Sequence, residues 1–386
     1  MSDGIDVEAL RREFPVTERW AYLNHGAIGP MPRRSADRMA ELARTVAETG
    51  DRHWPERNDE CERVRRRVAE LLGAPREHEV AFVGNTSEGL SAVAWGLDWR
   101  PGDNVVGPEP EFPSDVYPWM SLAELGVEYR RVPERDGRVA PEDLVAAVDG
   151  RTRVVAVSWV QYASGHRLPL EPLAAACRDA GALLVLDAIQ GVGALSLDVE
   201  AAGVDVCALA SHKWILGPEG VGIFYVSDRV VERLRSTRHG WRSVAKAFEW
   251  GAIDPTPATG ALRFEAGTLN VYGIHALGAS VDLLLELDSH GGPGAVETRV
   301  LALADRVADG LVSRGFALAE PHRSPGETSG IVAGTHPDRP ARALAEDLEQ
   351  RGVAVSHRAG RFRVSPHVYN TEAEIDRLLD ALDELL

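Results

Sequence analysis

Two stretches constrain the fold more than any other part of the chain. Arg153-Val-Val-Ala-Val-Ser158 and Leu183-Leu-Val-Leu-Asp187 are apolar almost without interruption and too short for helices. A strand with one wet face alternates apolar and polar residues. A strand without alternation is covered on both faces, as in a parallel sheet sandwiched between helices. Residues 170–181 lie between the two, Ala-rich and ending at Gly181, which completes a strand–helix–strand unit.

The same alternation extends both ways. Glu79-Val-Ala-Phe-Val83 reads as a strand, followed by an apolar helix through Trp95; strands are expected at 104–107, 127–132, 205–209 and 222–226. Upstream, a short helix at 7–14 ends before Pro15. Trp20 to Pro30 is extended, and helices are expected at 33–49 and 56–72, with His53 and Trp54 read as surface-loop residues between them. Residues 240–266 read as irregular, with Gly or Pro at 251, 255, 257 and 260. A long connecting helix at 272–288 leads to a smaller α+β region: helices at 298–314, 340–351 and 371–386, and strands at 316–319, 329–334, 353–356 and 361–365. The fold class is α/β, a largely parallel sheet flanked by helices plus a smaller C-terminal α+β domain.

Charge and cysteine content exclude several functions. The net charge of -17 leaves no basic surplus to neutralise nucleic-acid phosphates. No apolar run is long enough to span a bilayer, and the acidic start Met1-Ser-Asp-Gly-Ile-Asp6 carries no leader-like segment. Cys61, Cys177 and Cys207 are far apart, which predicts a reducing, cytoplasmic setting with no disulfide framework and no metal site. No glycine-rich nucleotide fingerprint follows the first strand.

Open α/β sheets bind ligands at strand ends, and three ends carry polar groups. Asn85-Thr86-Ser87-Glu88-Gly89 opens a helix, which makes either an ordinary cap or an anion site. Asp187 ends an apolar strand, where a partly buried carboxylate caps a turn or binds a ribose, a metal or a cation. Ser211-His212-Lys213 follows the strand at 205–209. Lys213 and Lys246 are the only lysines among 42 basic residues. Arginine cannot replace an amine that must lose its proton and attack a carbonyl. A lysine, a buried aspartate and an anion site together suit pyridoxal 5'-phosphate (PLP). The lysine forms a Schiff base, the aspartate keeps the pyridine nitrogen protonated, and the helix N-terminus takes the phosphate.

With these motifs in order from Tyr22-Leu-Asn to Arg363-Val-Ser-Pro-His-Val-Tyr-Asn-Thr371, the chain resembles the class V aminotransferases of PLP fold type I. That group includes cysteine desulfurases, selenocysteine lyases, kynureninases and isopenicillin N epimerase-like proteins. The resemblance implies a large PLP-binding domain over 15–270 and a small domain from 1–14 and 271–386. It also implies a homodimer with shared active sites. By the resemblance, Lys213 is the Schiff-base lysine, Asp187 meets the pyridine nitrogen and Gln190 meets the phenolic oxygen. Thr86, Ser87 and His212 bind phosphate, Phe112 stacks on the ring, and Gly267-Thr268 reaches the partner's phosphate. Arg363 holds the substrate carboxylate, with Tyr162, Asn24 and His25 beside the substrate. Arg361 is expected on the surface; His357, Arg358 and His367 flank Arg363 as candidates to shape side-chain specificity, and Trp241 is either an aromatic beside the substrate or a core tryptophan.

One departure bears on the reaction. The loop that carries a persulfide-forming cysteine in desulfurases is absent: between Val355 and Arg361 there is only Ser356-His-Arg-Ala-Gly360. The expected reaction is β-elimination, a C–S lyase activity. Transamination, epimerisation and decarboxylation-coupled deamination are alternatives, as is a catalytically silent PLP-fold binding protein.

Overall fold

The computed structural model describes residues 4–135, 138–251 and 253–386. Met1–Asp3, part of both the leader reading and the N-terminal segment given to the small domain, lie outside the described residues. At the centre is a seven-stranded sheet. Its order is Val80–Val83, Gly222–Val226, Val206–Ala210, Leu183–Asp187, Thr152–Ser158, Asn104–Pro108 and Glu128–Val132. Every pairing is parallel except those of Gly222–Val226, which runs antiparallel to both neighbours. The runs 154–157 and 183–187 are buried throughout, as their lack of alternation requires. Leu184 and Leu186 face one hydrophobic core and Leu183 and Val185 the other, on opposite sides of the sheet.

The helices Arg33–Thr49 and Trp54–Leu72 pack against the long helix Val271–Gly291. Trp54 is the first residue of its helix rather than part of a loop, because Pro55 at the second position has no N–H to lose. Pro141–Ala147 forms a further helix that the sequence pattern did not reveal. At seven residues it is too short to display a periodicity.

The C-terminal region forms a four-stranded antiparallel sheet in the order Ser356–Arg358, Arg361–Val364, Val332–Thr335, Ala317–Leu318. The helices Ala295–Val312, Ala341–Glu349 and Glu372–Leu385 contribute its core. The chain's N-terminal stretch joins this region: Ala21–Tyr22 pairs in parallel with Val353–Ala354, and Asn24 bridges to Ser365. Among the described residues no helix is long and apolar enough to cross a membrane. His166, Glu320 and Glu327 hold ligand-type atoms within 4.8 Å of one another. Arg138 pairs with Glu327 and lies 3.7 Å from Glu320, so a protein cation already serves these acids.

A buried ion pair ties helix to sheet. Arg65 and Glu265 side chains are each 1% exposed and meet at 2.7 Å; Glu265 also accepts from the Phe82 N–H at 2.9 Å and from Arg242 Nε at 3.0 Å. Glu265→Ala leaves Arg65 with Glu62 alone, at 2.8 Å, and takes the acceptor from the Phe82 N–H, and should cost about 3 kcal/mol. A urea melt should show a lower midpoint with an unchanged slope.

Candidate active site

Lys213 stands at the C-terminal end of the strand Val206–Ala210, in the loop that returns as Gly222–Val226. Ser211 closes the base of that loop, its N–H donating to the Val221 carbonyl at 3.0 Å and its hydroxyl to the Pro218 carbonyl at 2.5 Å. Two glycines clamp the backbone here. A Cβ on Gly29 would sit 2.1 Å from the Lys213 carbonyl oxygen, and the Gly29 N–H donates to the His212 carbonyl at 2.8 Å. Gly193, at φ +101°, leaves no room for a Cβ beside the Trp214 carbonyl. Only glycine permits approaches this close. The lysine is therefore fixed by main chain, with its side chain left to face a cavity.

That cavity is about 320 Å³ and takes residues from several strand ends and loops, Thr86, Asp187, Lys213, Phe112, Arg363 and Gly26–Ile28 among them. Asp187 is 3% exposed. One of its oxygens accepts from the Ile189 N–H at 2.9 Å, and it makes no ion pair among the described residues. Burial pushes its carboxyl up to about 7, against the opposing pull of the Ile189 N–H and of Lys213. Burial likewise pushes the Lys213 amine down to about 8; the Asp187 charge resists this, and the Arg363 and Arg358 charges add to it. An amine pulled down this far is neutral in a substantial fraction near neutral pH and able to attack a carbonyl. The Lys213 ammonium lies 5.6 Å from the centroid of the Phe112 ring, and that ring meets Tyr162 edge-on at 5.4 Å.

The residues present fit PLP. Thr86 opens the helix Thr86–Gly96, and its buried hydroxyl has no partner; neither has Nδ1 of His212. An unsatisfied hydroxyl at a helix N-terminus and an unsatisfied imidazole nitrogen from a residue lining the same cavity call for an anion. Asp187, ionised, calls for a cationic N–H donor. Arg363 is fully buried and donates from Nε to Ser356 at 3.1 Å and from Nη1 to the Tyr162 carbonyl at 2.7 Å. Its Nη2 has no partner, and no carboxylate faces it among the described residues. Burial, with Arg358 nearby, pushes it down to about 9. A buried guanidinium without an anion is costly, and a ligand carboxylate relieves that cost.

The other expected residues divide. Ser87 lines the cavity with its hydroxyl donated to Ser114 at 2.8 Å. Gln190 lines it too, donating to the Gly26 carbonyl at 2.9 Å and accepting from the Trp214 indole at 3.0 Å. Tyr162 lines it and holds Arg363 through its carbonyl. His25 does not reach the cavity: it is fully buried, with Nδ1 2.9 Å from the Ser365 carbonyl and Nε2 2.8 Å from the Tyr369 hydroxyl. Both ring nitrogens are engaged in the core, which corrects its expected place beside the substrate. Asn24 also stands outside the lining; Gly26, Ala27 and Ile28 take that place. His367 is a core residue, bonded to the Trp214 carbonyl at 2.9 Å, and burial pushes it down to about 4. His357 is exposed, while Arg358 lines the cavity. Trp241 lies apart, packed on Phe248 and Trp250. Gly267 and Thr268 line a neighbouring cavity with Gly84, Glu88 and Arg238. The cavity also uses Ser114 and Ile189, which no motif marked.

The depressed Lys213 amine has a measurable consequence. Covalent capture of added PLP by the apoprotein should speed up as pH rises through about 8 and then level off. An ordinary lysine would keep gaining up to its usual value of 10.5. Stopped-flow absorbance across pH checks this.

Known proteins share this architecture. The family model for class-V aminotransferases matches residues 21–378. A probable cysteine desulfurase of Methanothermobacter thermautotrophicus is 32% identical, with 98% of each chain covered. The apo cysteine desulfurase of Thermococcus onnurineus superposes with a TM-score of 0.87 at 25% identity, over 98% of this chain and 97% of that one. A variant of C-DES with glycine covalently linked to its PLP cofactor gives a TM-score of 0.85 at 25% identity, over 96% and 98%. With a matching model over nearly its whole length and a fold of the same kind, the chain belongs to the class-V aminotransferase family and is a PLP-dependent enzyme.

Proposed function

We propose that the protein is a C–S lyase: it cleaves the β-carbon–sulfur bond of cysteine or a cysteine S-conjugate and uses no cysteine of its own to carry sulfur. One observation carries this reading. The strands Ser356–Arg358 and Arg361–Val364 are joined by Ala359-Gly360 alone, so no cysteine-bearing loop overhangs the cavity. Cys61, Cys177 and Cys207 are all buried elsewhere. Burial pushes the thiols of Cys61 and Cys177 up to about 12 and that of Cys207 higher still, so none supplies a thiolate nucleophile. The relatives named cysteine desulfurase support cysteine as the amino acid; the missing thiol separates the outcome.

The roles follow from the cavity. Thr86, Ser87 and His212 hold the phosphate, Asp187 the ring nitrogen, Gln190 the phenolic oxygen and Phe112 the ring face. Bound PLP supplies an electron sink for the substrate's α-carbon. Arg363 takes the α-carboxylate in a two-pronged pair. Lys213, neutral near its depressed pKa, takes the α-proton. The C–S bonding pair leaves with sulfur, which gains a proton as a thiol. The 2-aminoacrylate left behind reacts with water to give pyruvate and ammonium.

The cavity takes Lys213 from residues 15–270 and Arg358 and Arg363 from the 271–386 part. We propose these as the large and small domains, residues 1–14 belonging with the latter. Gly267 and Thr268 complete the phosphate end of a second copy's site in a homodimer. The test is to quench the enzyme during turnover of cysteine or cystine with an alkylating reagent and map the three cysteines by mass spectrometry. Sulfur-free thiols are expected; persulfide on any of Cys61, Cys177 or Cys207 would overturn the reading.

A further inference from the structure

We propose that Arg358 recognises an oxyanion at the end of the substrate's side chain, so that the substrate class is amino acids with a second anionic group, such as sulfonate, sulfinate, phosphate or carboxylate. The inference rests on the cavity taking an α-amino acid, and not on which bond is broken.

The hairpin that replaces the cysteine loop provides the geometry. Its turn residues, Ala359 and Gly360, both have positive φ, +47° and +76°, the conformation of the tightest two-residue turn. The register then pairs Ser356 with Arg363, His357 with Phe362 and Arg358 with Arg361. Side chains alternate along a strand, so Ser356 and Arg358 share a face and His357 takes the other. Ser356 accepts from Arg363 Nε at 3.1 Å, which identifies that shared face as the one turned to the cavity. His357 is exposed, and Arg358 lines the cavity wall with Arg363.

Three arginines therefore lie close together, and they differ in their partners. Arg361 pairs with Glu134 at 3.2 Å. Arg363 and Arg358 pair with no carboxylate among the described residues; Arg358 donates only to the His357 carbonyl, at 2.7 Å. The chain carries 59 acidic residues against 42 basic ones, so acids are not scarce. Yet the one carboxylate lining this cavity is Asp187, which the cofactor ring claims. The Arg358 charge is felt at both Lys213 and Arg363. A cavity wall with two unpaired guanidiniums accommodates two anionic groups on one ligand. The α-carboxylate meets one of them. The second calls for an oxyanion carried by the side chain, where a neutral conjugate leaves Arg358 unsatisfied.

The test uses holoenzyme and reads binding through the shift in cofactor absorbance. Ligands are S-sulfocysteine, cysteine sulfinate, phosphoserine, aspartate and the neutral S-methylcysteine, with α-methylaspartate as a ligand that has no α-proton to lose. Oxyanion ligands should bind about 10- to 100-fold more tightly than the neutral one. Arg358→Met should remove most of that ratio, and Arg358→Lys should keep part of it. The tightest of the four oxyanions identifies the natural group, and equal affinity for all four supports the shared chemistry. Neutral and anionic ligands binding alike to the unaltered enzyme would overturn the proposal, as would an intact ratio in a folded Arg358→Met. Because α-methylaspartate binding involves no bond cleavage, a failed elimination reading shows separately, as selective binding without pyruvate.

Discussion

Replacing Lys213 with alanine should lower turnover by about 10⁴-fold or more, because the same amine is both the covalent anchor and the base. The chain offers no substitute. Its one other lysine, Lys246, is half exposed beside Glu249 and lines a different cavity, with Asn58 and Glu62. Arginine at 213 should not rescue activity, since a guanidinium keeps its proton. The fold should survive, because the main chain at this position is held by Gly29, Gly193 and Ser211 rather than by the lysine side chain. The measurement is steady-state turnover alongside intact mass after borohydride reduction. The unaltered protein should gain one cofactor mass per chain, and Lys213→Ala none, even where the Thr86–His212 end still holds PLP without a covalent bond.

The second large effect is expected at Asp187. Asn keeps the oxygen that accepts from the Ile189 N–H but cannot hold a ring nitrogen protonated. Turnover should fall about 10²- to 10³-fold in kcat, with a smaller change in KM. Stability of the apoprotein should move the other way. Burial raises the Asp187 carboxyl from 3.8 to about 7, so the folded state keeps a proton that the unfolded chain gives up. A group of this kind costs no stability below 3.8 and costs progressively more as pH rises toward 7. Between those values the unaltered apoprotein should lose stability relative to Asp187→Asn, and above about 7 the difference should stay constant. Thermal melts of both apoproteins across pH read the difference directly.

What could be read from the residues alone follows physical lines. The sheet was legible because strands buried on both faces cannot alternate, and 154–157 and 183–187 do not. Lys213 and Asp187 were legible as chemistry because each is a charged group placed where an apolar strand ends, whereas Arg363, inside the strand Arg361–Val364, was marked only by the family resemblance. His25 was not. Its partners Ser365 and Tyr369 are 340 and 344 residues away, and no local pattern shows that a histidine beside a glycine turns into the core. Gly26 contributes by what it lacks: a Cβ there would stand 3.2 Å from the Arg363 guanidinium carbon. Arg361 was expected on the surface and Arg358 at the pocket, but which of the two carries an acid partner was hidden. Both are arginines of one hairpin, and only the position of Glu134, more than two hundred residues earlier, decides which is neutralised.

The most direct measurement of the central claim is the ratio of pyruvate to alanine formed from cysteine or an anionic cysteine S-conjugate by purified holoenzyme. An enzyme that eliminates sulfur without handing it to a cysteine of its own yields pyruvate and ammonium in equal amounts, with alanine at background. Alanine as the main product, with sulfur left on the protein, would contradict the account.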